Sequence, residues 1–394
     1  MKRIFMFAAL AVATGLRAQT PAVPPEAAPL DTTYQTYEEG PISLPLGIGL
    51  RIPSYDRVNG LSLPWGPHIE IPGGRVELDP IVTYRSNLGK LDPSVKAVAR
   101  FGHFDQLDVY GGRGTFTNDG WIRSDIINSL TTIGVGTDAH NYYRSDRVRA
   151  DFSHRIEREP WNVRLWLGGN HEFDWSTGIH ARHSSAPWSF FGRTDSLKMR
   201  RINPVVAHGH ITSALVGVDG EYELDDLKAK FGIAVEQSLD KNGTGFRSGN
   251  NFTQLNVDAR SSFPTFGTQN VEFKAHAVTS WNSPPAQRWF YLGGAGTLST
   301  VDLLQLGGDR LFFVRGDYNI PLVRPLLPYV GAPVVSVMYS AGSAGVDELP
   351  DFIQNVGAAV GLKVIKVEYW VDPSYSKTPY SHKSRFSIGF SLSL

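Results

Sequence analysis

Cysteine is absent from the 394 residues. That excludes a disulfide scaffold, a thiolate zinc site, a cysteine nucleophile and a lipoprotein anchor. Net charge is absent too: 38 Lys+Arg balance 38 Asp+Glu, with a pI near 7.2. The basic excess of a nucleic-acid binder is therefore missing, and no nucleic-acid partner is expected. Charged residues make up only 19%, below the roughly 25% of an average soluble domain. No segment beyond the N-terminus offers the run of about 18 apolar residues that a membrane helix needs. Glycine, at 40 residues, and aromatics, at 11%, are plentiful. Glycines inside apolar stretches disfavour helices. None of this excludes a barrel that crosses a membrane on strands.

Residues 1–18 read MKRIFMFAALAVATGLRA. Lys2 and Arg3 precede an apolar run from Ile4 to Ala13, and Ala18–Gln19 offers a cleavage site. The run is too short to span a bilayer, so it reads as a cleaved secretory signal. Residues 19–56, punctuated by Pro21, Pro24, Pro25, Pro29, Pro41 and Pro45, have the composition of a periplasmic linker or plug segment. The barrel candidate is 57–394.

From residue 57 onward the dominant signal is period two. Val216, Val218, Tyr222 and Leu224 alternate with Asp219, Glu221 and Glu223. Leu227, Ala229, Phe231, Ile233 and Val235 alternate with Lys228, Lys230 and Glu236. Val271, Phe273, Ala275 and Ala277 alternate with Glu272, Lys274 and His276. Val148, Ala150, Phe152 and Ile156 alternate with Arg147, Arg149, Asp151 and Arg155. Each segment is one strand with one greasy face. A soluble sheet with one wet face would show the same alternation. Three features favour a membrane barrel: bilayer-crossing length, a polar face charged with both signs, and an export signal.

The expected fold is all-β, a transmembrane antiparallel β-barrel of about sixteen strands. Eleven are read between 146 and 394 and three at 74–85, 94–103 and 105–117. Two short ones, 57–63 and 67–72, complete sixteen; without them the count is fourteen. Short links alternate with long ones, as periplasmic turns and outside loops do. The long connections are 118–145, 174–204, 240–251, 281–308, 341–352 and 373–383. Within the first, Ile122, Ile126, Ile127, Leu130 and Ile133 recur at helical spacing. They predict a short amphipathic helix packed on the barrel mouth.

Residues 288–322 read RWFYLGGAGTLSTVDLLQLGGDRLFFVRGDYNIPL. The stretch resembles the BamA/TamA superfamily of outer-membrane barrels, also called the bacterial surface antigen family. Its members carry a loop of the form F-x-x-GG-x-G-S-[LV]-R-G-[YF] and then a strand ending E-[YF]-R-x-P-[LI]. Gly293, Gly294, Gly296 and Leu298 match the loop, and Gly307, Gly308 and Asp309 match the segment before the strand. Asp317, Tyr318, Pro321 and Leu322 match the strand end, with Asp in place of Glu. SYDRVNGLSL (54–63) and HNYYRSDR (140–147) resemble a Bacteroidetes-type subgroup. The last strand resembles the family's targeting strand.

The resemblance implies an inward-folded extracellular loop. It also implies insertion into the bacterial outer membrane by the barrel assembly machinery, and a role in assembly or translocation there. In the family the loop arginine enters the lumen and meets an acidic residue. Here Ser299 and Thr300 stand at the Arg-Gly position, so Arg288 or Arg310 are the candidates to replace it. Asn319 replaces the strand arginine. The segment before the barrel is too short for a POTRA domain.

Two other functions stay open: a passive diffusion pore and a lipid-acting barrel enzyme. No G-x-S-x-G motif places a serine with a histidine, so no enzyme is expected. His208 and His210, and His180 and His183, lack the acidic partners and third ligand of a zinc site, so no metal or other cofactor is expected. The 174–204 connection carries Arg182, Arg193, Lys198, Arg200 and Arg201 against Asp195, with Trp188, Phe190 and Phe191. Outer-membrane lipid, lipopolysaccharide in particular, is its expected partner. The sequence says nothing of oligomeric state.

Overall fold

The computed structural model describes residues 42–394 except 72, 178–187, 192–200, 240–250, 323–331, 363–364, 376–379 and 391–394. The signal peptide and residues 19–41 of the linker lie outside the described residues, as do His180, His183, Arg182, Arg193, Lys198 and Arg200. No described helix is long and apolar enough to cross a membrane.

One antiparallel ladder runs through nearly the whole chain. It begins at an edge segment made of β1 (Ile42–Ser43) and β2 (Ser54–Asp56). These pair with β4 (His68–Ile71) and β3 (Gly60–Trp65) respectively, and β3 and β4 both pair with β5 (Val76–Arg85). The ladder continues through β6 (Lys90–Phe101), β7 (Asp105–Phe116), β8 (Tyr143–Arg158), β9 (Trp161–Ser176) and β10 (Gly209–Leu224). Next come β11 (Leu227–Ser238), β12 (Thr253–Pro264) and β13 (Asn270–Trp281). A separate hairpin, β14 (Phe290–Leu292) with β15 (Leu306–Gly308), stands outside the ladder. The ladder resumes at β16 (Arg310–Pro321), β17 (Val334–Gly345), β18 (Ile353–Gly361), β19 (Ile365–Val371) and β20 (Ser384–Phe390).

Counted as crossings, these are the edge segment, the broken strand β3–β4, the nine strands β5–β13 and the five strands β16–β20. The total is sixteen, and the fold is that of an outer-membrane β-barrel. The first two crossings differ from the sequence reading. The segments at 57–63 and 67–72 are two halves of one crossing, interrupted at Gly66. A Cβ there would sit 1.9 Å from the Pro80 carbonyl oxygen, so only glycine lets the strands approach. The other crossing comes from 42–56, which proline and irregular spacing had assigned to the linker. β6 also starts four residues earlier than expected, because Pro93 lies inside the strand, paired with Val82, rather than at its start.

The two faces sort as alternation requires. Leu167 (61% exposed), Val216 (54%), Phe273 (52%) and Val337 (55%) point outward. Such a belt would be an aggregation liability in water and is the normal surface in lipid. The opposite face carries ion pairs across neighbouring strands, among them Lys230–Glu221 at 2.8 Å and Arg147–Glu172 at 2.6 Å.

Candidate functional site: a plug built from two connections

Two of the long connections turn inward instead of extending from the barrel. The first, 117–142, leads with Trp121. Its indole lies flat on the imidazole of His276 in β13, with centroids 4.1 Å apart and planes 9° apart. Lys274, two residues along the same inner face, donates from Nζ to the Trp121 carbonyl at 2.6 Å. The alternation of β13 aims Lys274 and His276 at this point.

A helix follows, α1 (Asp125–Val135). Ser124 caps it, its hydroxyl accepting from the Ile127 amide at 3.5 Å, and Gly136 ends it in the left-handed conformation at φ 66°. The helix is where the sequence places it but faces the other way. Its buried side is Asn128, Thr131, Thr132 and Gly134, while Ile126 and Leu130 are exposed. The reason is the polar knot beneath it. Asp138 accepts from Asn128 Nδ2 (2.9 Å), Tyr142 Oη (3.0 Å) and the amides of His140 (3.0 Å) and Arg57 (2.9 Å). Burial would raise the Asp138 carboxyl, but the charges of Arg57 and His140 and these donors hold it below the usual carboxylate range. Asp119 has fewer donors: Asn141 N reaches it at 2.7 Å. Burial pushes its carboxyl up to about 7.

The second connection, 282–309, carries the glycine loop, directly after the eleventh crossing. Gly293, Gly294 and Gly296 have φ of 120°, 84° and 101°. At Gly293 a Cβ would stand 2.0 Å from the Asp302 carbonyl oxygen. These conformations let Gly294 N donate to both Leu298 O and Val301 O at 3.0 Å. The loop thereby closes into a knob. Leu292, Leu298, Val301, Leu303 and Leu304 point into one apolar cluster with Trp121, Ile122, Val278, Leu311 and Phe313. Both connections and the inner wall thus share one core.

Arg288 anchors the base of this loop. It is 6% exposed. Its Nε donates to Glu236 Oε2 at 2.9 Å and its Nη2 to Glu236 Oε1 at 3.0 Å, and Nη2 also bonds Glu172. Burial disfavours its charge, but the two carboxylates more than offset that and raise its pKa well above the ordinary value. Of the two arginines the sequence offered, Arg288 holds the acidic pair. Arg310 opens β16, and its Nε has no hydrogen-bond partner among the described residues.

The other sequence-selected residues divide. Ser299 is buried at 1% exposure in the apex, and its neighbour Thr300 takes the polar contact: its amide donates to Asn355 Oδ1 at 3.1 Å and its Oγ1 accepts from Asn355 Nδ2 at 2.7 Å. Gly307 and Gly308 form the return of the β14–β15 hairpin. Asp309 fixes the β17–β18 connection by accepting from the Asp347 amide at 2.9 Å. Asp317 belongs elsewhere. It accepts both arms of Arg315 at 2.8 Å and Lys366 at 3.4 Å on the half of the barrel with the short turns. Glu236 and His276 were visible in the sequence only as polar positions of alternating strands, and Glu172 and Trp121 carried no site signal, because their partners come from remote parts of the chain.

Arg201, grouped by sequence with the lipid-facing basic residues, turns inward instead. It donates to the His140 carbonyl at 2.9 Å and to Asn141. Trp188, Phe190 and Phe191 are exposed. His210 stacks on His171 with ring centroids 5.3 Å apart. Among the described residues no group of three or more His, Asp or Glu is arranged to hold a metal ion.

No protein-family model matches the chain. No curated protein matches it either. Solved structures do match. BamA from Haemophilus ducreyi, in a form lacking POTRA domains 1–3, aligns at TM-score 0.53 and 14% identity, over 86% of this chain and 69% of that one. CdiB from Escherichia coli aligns at TM-score 0.52 and 13% identity, over 86% of this chain. The chain spans 61% of the length of that CdiB structure. At these identities the likeness is one of fold, and the fold is the outer-membrane β-barrel of the BamA and CdiB type.

Proposed function

We propose that this chain is a non-enzymatic bacterial outer-membrane barrel, related to the surface antigen family, that serves assembly or translocation at that membrane and is closed at rest by its own connections. The observation that carries this reading is the clamp of Arg288 between Glu172 and Glu236. It pins the glycine loop inside the wall, in the role the resemblance assigns to a loop arginine. A buried ion pair contributes little net stability and serves better to fix one arrangement of the chain. Insertion would use the barrel assembly machinery, and outer-membrane lipid would surround the apolar belt. At the mouth, Trp188, Phe190 and Phe191 suit an interface with lipopolysaccharide.

A passive diffusion pore is the second reading, favoured by the charged, exposed inner wall at Glu221, Glu223, Lys228 and Lys230 near the short turns. Single-channel conductance separates the two. The parent protein is expected to stay closed, and Arg288→Gln or deletion of 290–304 to produce open steps. Steady large conductance in the parent would favour the pore.

A further inference from the structure

We propose that the two inward connections form one continuous brace across the ends of the sheet, so that displacing the plug and loosening the last strand are a single event. The edge segment needs outside support. It pairs with the next crossing only at Ile42–Ser43, Leu50 and Ser54–Asp56. Between these points the chain makes a single helical turn at Pro45–Gly47, with Leu46 at φ 51°. A crossing with so few ladder bonds opens at low free energy.

The first connection supplies the support. Ser129 Oγ accepts from the Tyr55 amide at 3.0 Å, and Asp138 accepts from the Arg57 amide. The middle link joins the connections to each other. Arg123 Nη2 donates to the Ala295 carbonyl at 2.9 Å, and Ile122 packs under Gly296. The second connection then reaches the far end of the sheet. Asp302 Oδ1 meets His382 Nε2 at 3.1 Å and Arg385 Nη1 at 3.3 Å. The Thr300 carbonyl accepts from the His382 amide at 2.8 Å, and the Val301 carbonyl accepts from Arg385 at 3.0 Å. Arg385 lies in β20. Helix α1 itself lies beside both β2 and β20. Polar contacts therefore run without a break from the first crossing to the sixteenth, through the lumen.

This inference does not rest on what the barrel transports, and its readout is not conductance. Amide hydrogen exchange is followed in the full-length protein in lipid nanodiscs, with heat-modifiable gel mobility confirming that each variant folds. Asp302→Ala is expected to speed exchange of residues 384–390 at least tenfold and to leave 253–264 unchanged. Asn118 Nδ2 also donates to the Gln287 and Trp289 carbonyls at the base of the second connection. The double variant Asn118→Ala/Arg123→Ala therefore cuts the middle link and is expected to do the same, although the Arg123 side chain bonds only Thr131 and Ala295 among the described residues. Faster exchange of 384–390 in Asp302→Ala with no change in the double variant would overturn the brace, because the contact would then be local. Should either variant fail to fold, Ser129→Ala removes a single bond at the opposite end. It is expected to speed exchange at both 54–56 and 384–390, and an effect confined to 54–56 overturns the proposal.

Discussion

Trp121 and His276 stack face to face, 4.1 Å between centroids, although 155 positions separate them in the chain. The stack joins an inward connection to the barrel wall, and Phe313, the cross-strand neighbour of His276, also meets the indole at 5.6 Å. Removing a buried tryptophan side chain costs about 3–5 kcal/mol, here taken from the packing of the plug. The absence of native cysteine makes this measurable. Ser299→Cys, at the buried apex, is expected to react slowly with a bulky thiol reagent. Adding Trp121→Ala is expected to speed the reaction tenfold or more. Rapid labelling without that second change would show that the apex is not sequestered.

The face assignment makes a separate prediction. Val216 pairs with Val235 on the outward face, while Glu221 bonds Lys230 on the inward one. Val216→Arg is expected to cost about 2–4 kcal/mol if it lies near the bilayer midplane. Glu221→Arg removes an exposed pair and is expected to cost about 1 kcal/mol or less. Urea unfolding in bilayers compares them. The reverse order would mean that the hairpin is shifted by one residue.

Much of this was legible in the sequence, for a definite reason. Alternation in Val216–Leu224 or Val271–Ala277 is a local property, and it fixes which side chains see lipid without knowledge of partners. The glycines at 293, 294 and 296 are likewise local, since their conformation excludes a Cβ. What the sequence could not supply was pairing over distance. Arg288 and Arg310 are equivalent as text, and only the placement of Glu172 and Glu236 distinguishes them. Helix α1 misled for a related reason. Its isoleucines suggested a buried apolar face, but Asp138 and Asn128 made the polar face the better one to bury. Residues 42–56 were missed because a broken, proline-marked edge strand carries little periodicity.

The clamp around Arg288 should respond unequally to loss of its two carboxylates. Glu172 serves two arginines, accepting from Arg147 Nε at 2.7 Å as well as from Arg288, whereas Glu236 serves only Arg288 among the described residues. Glu172→Gln therefore weakens the pairing of two guanidiniums, and Glu236→Gln leaves Arg288 with one carboxylate. Breaking a buried pair costs about 3–5 kcal/mol, so Glu172→Gln is expected near that range and Glu236→Gln clearly below it. Unfolding midpoints of the two variants test the order, and equal effects would argue against a shared clamp.

The plug should also loosen as pH rises toward neutrality. Asp119 is the responsible group, its carboxyl pushed up to about 7 mainly by burial, against the hydrogen bond from Asn141 and the charge of Arg201. The ordinary aspartate value, which the unfolded chain approaches, is 3.8. Between those limits the folded chain holds a proton that the unfolded chain has released. Stability then falls as pH rises, levelling off once the folded carboxyl has ionised. Asp138 and Arg201 leave the trend unchanged in this window. Asp138 is held below the usual carboxylate range and loses its contribution only in more acid solution. Arg201, brought down to about 9, stays charged. His140, lowered by burial, works against the trend below its ordinary 6.5, because the unfolded imidazole holds a proton there that the folded one has released, so the Asp119 contribution is the difference between the parent and Asp119→Asn. Hydrogen exchange of residues 118–142 is expected to accelerate between pH 5 and 7.5 beyond the intrinsic chemical rate, with neighbouring β12 as reference. Asp119→Asn keeps the shape of the neutral acid and is expected to flatten that slope. A slope unchanged in the variant would assign the pH response to another group.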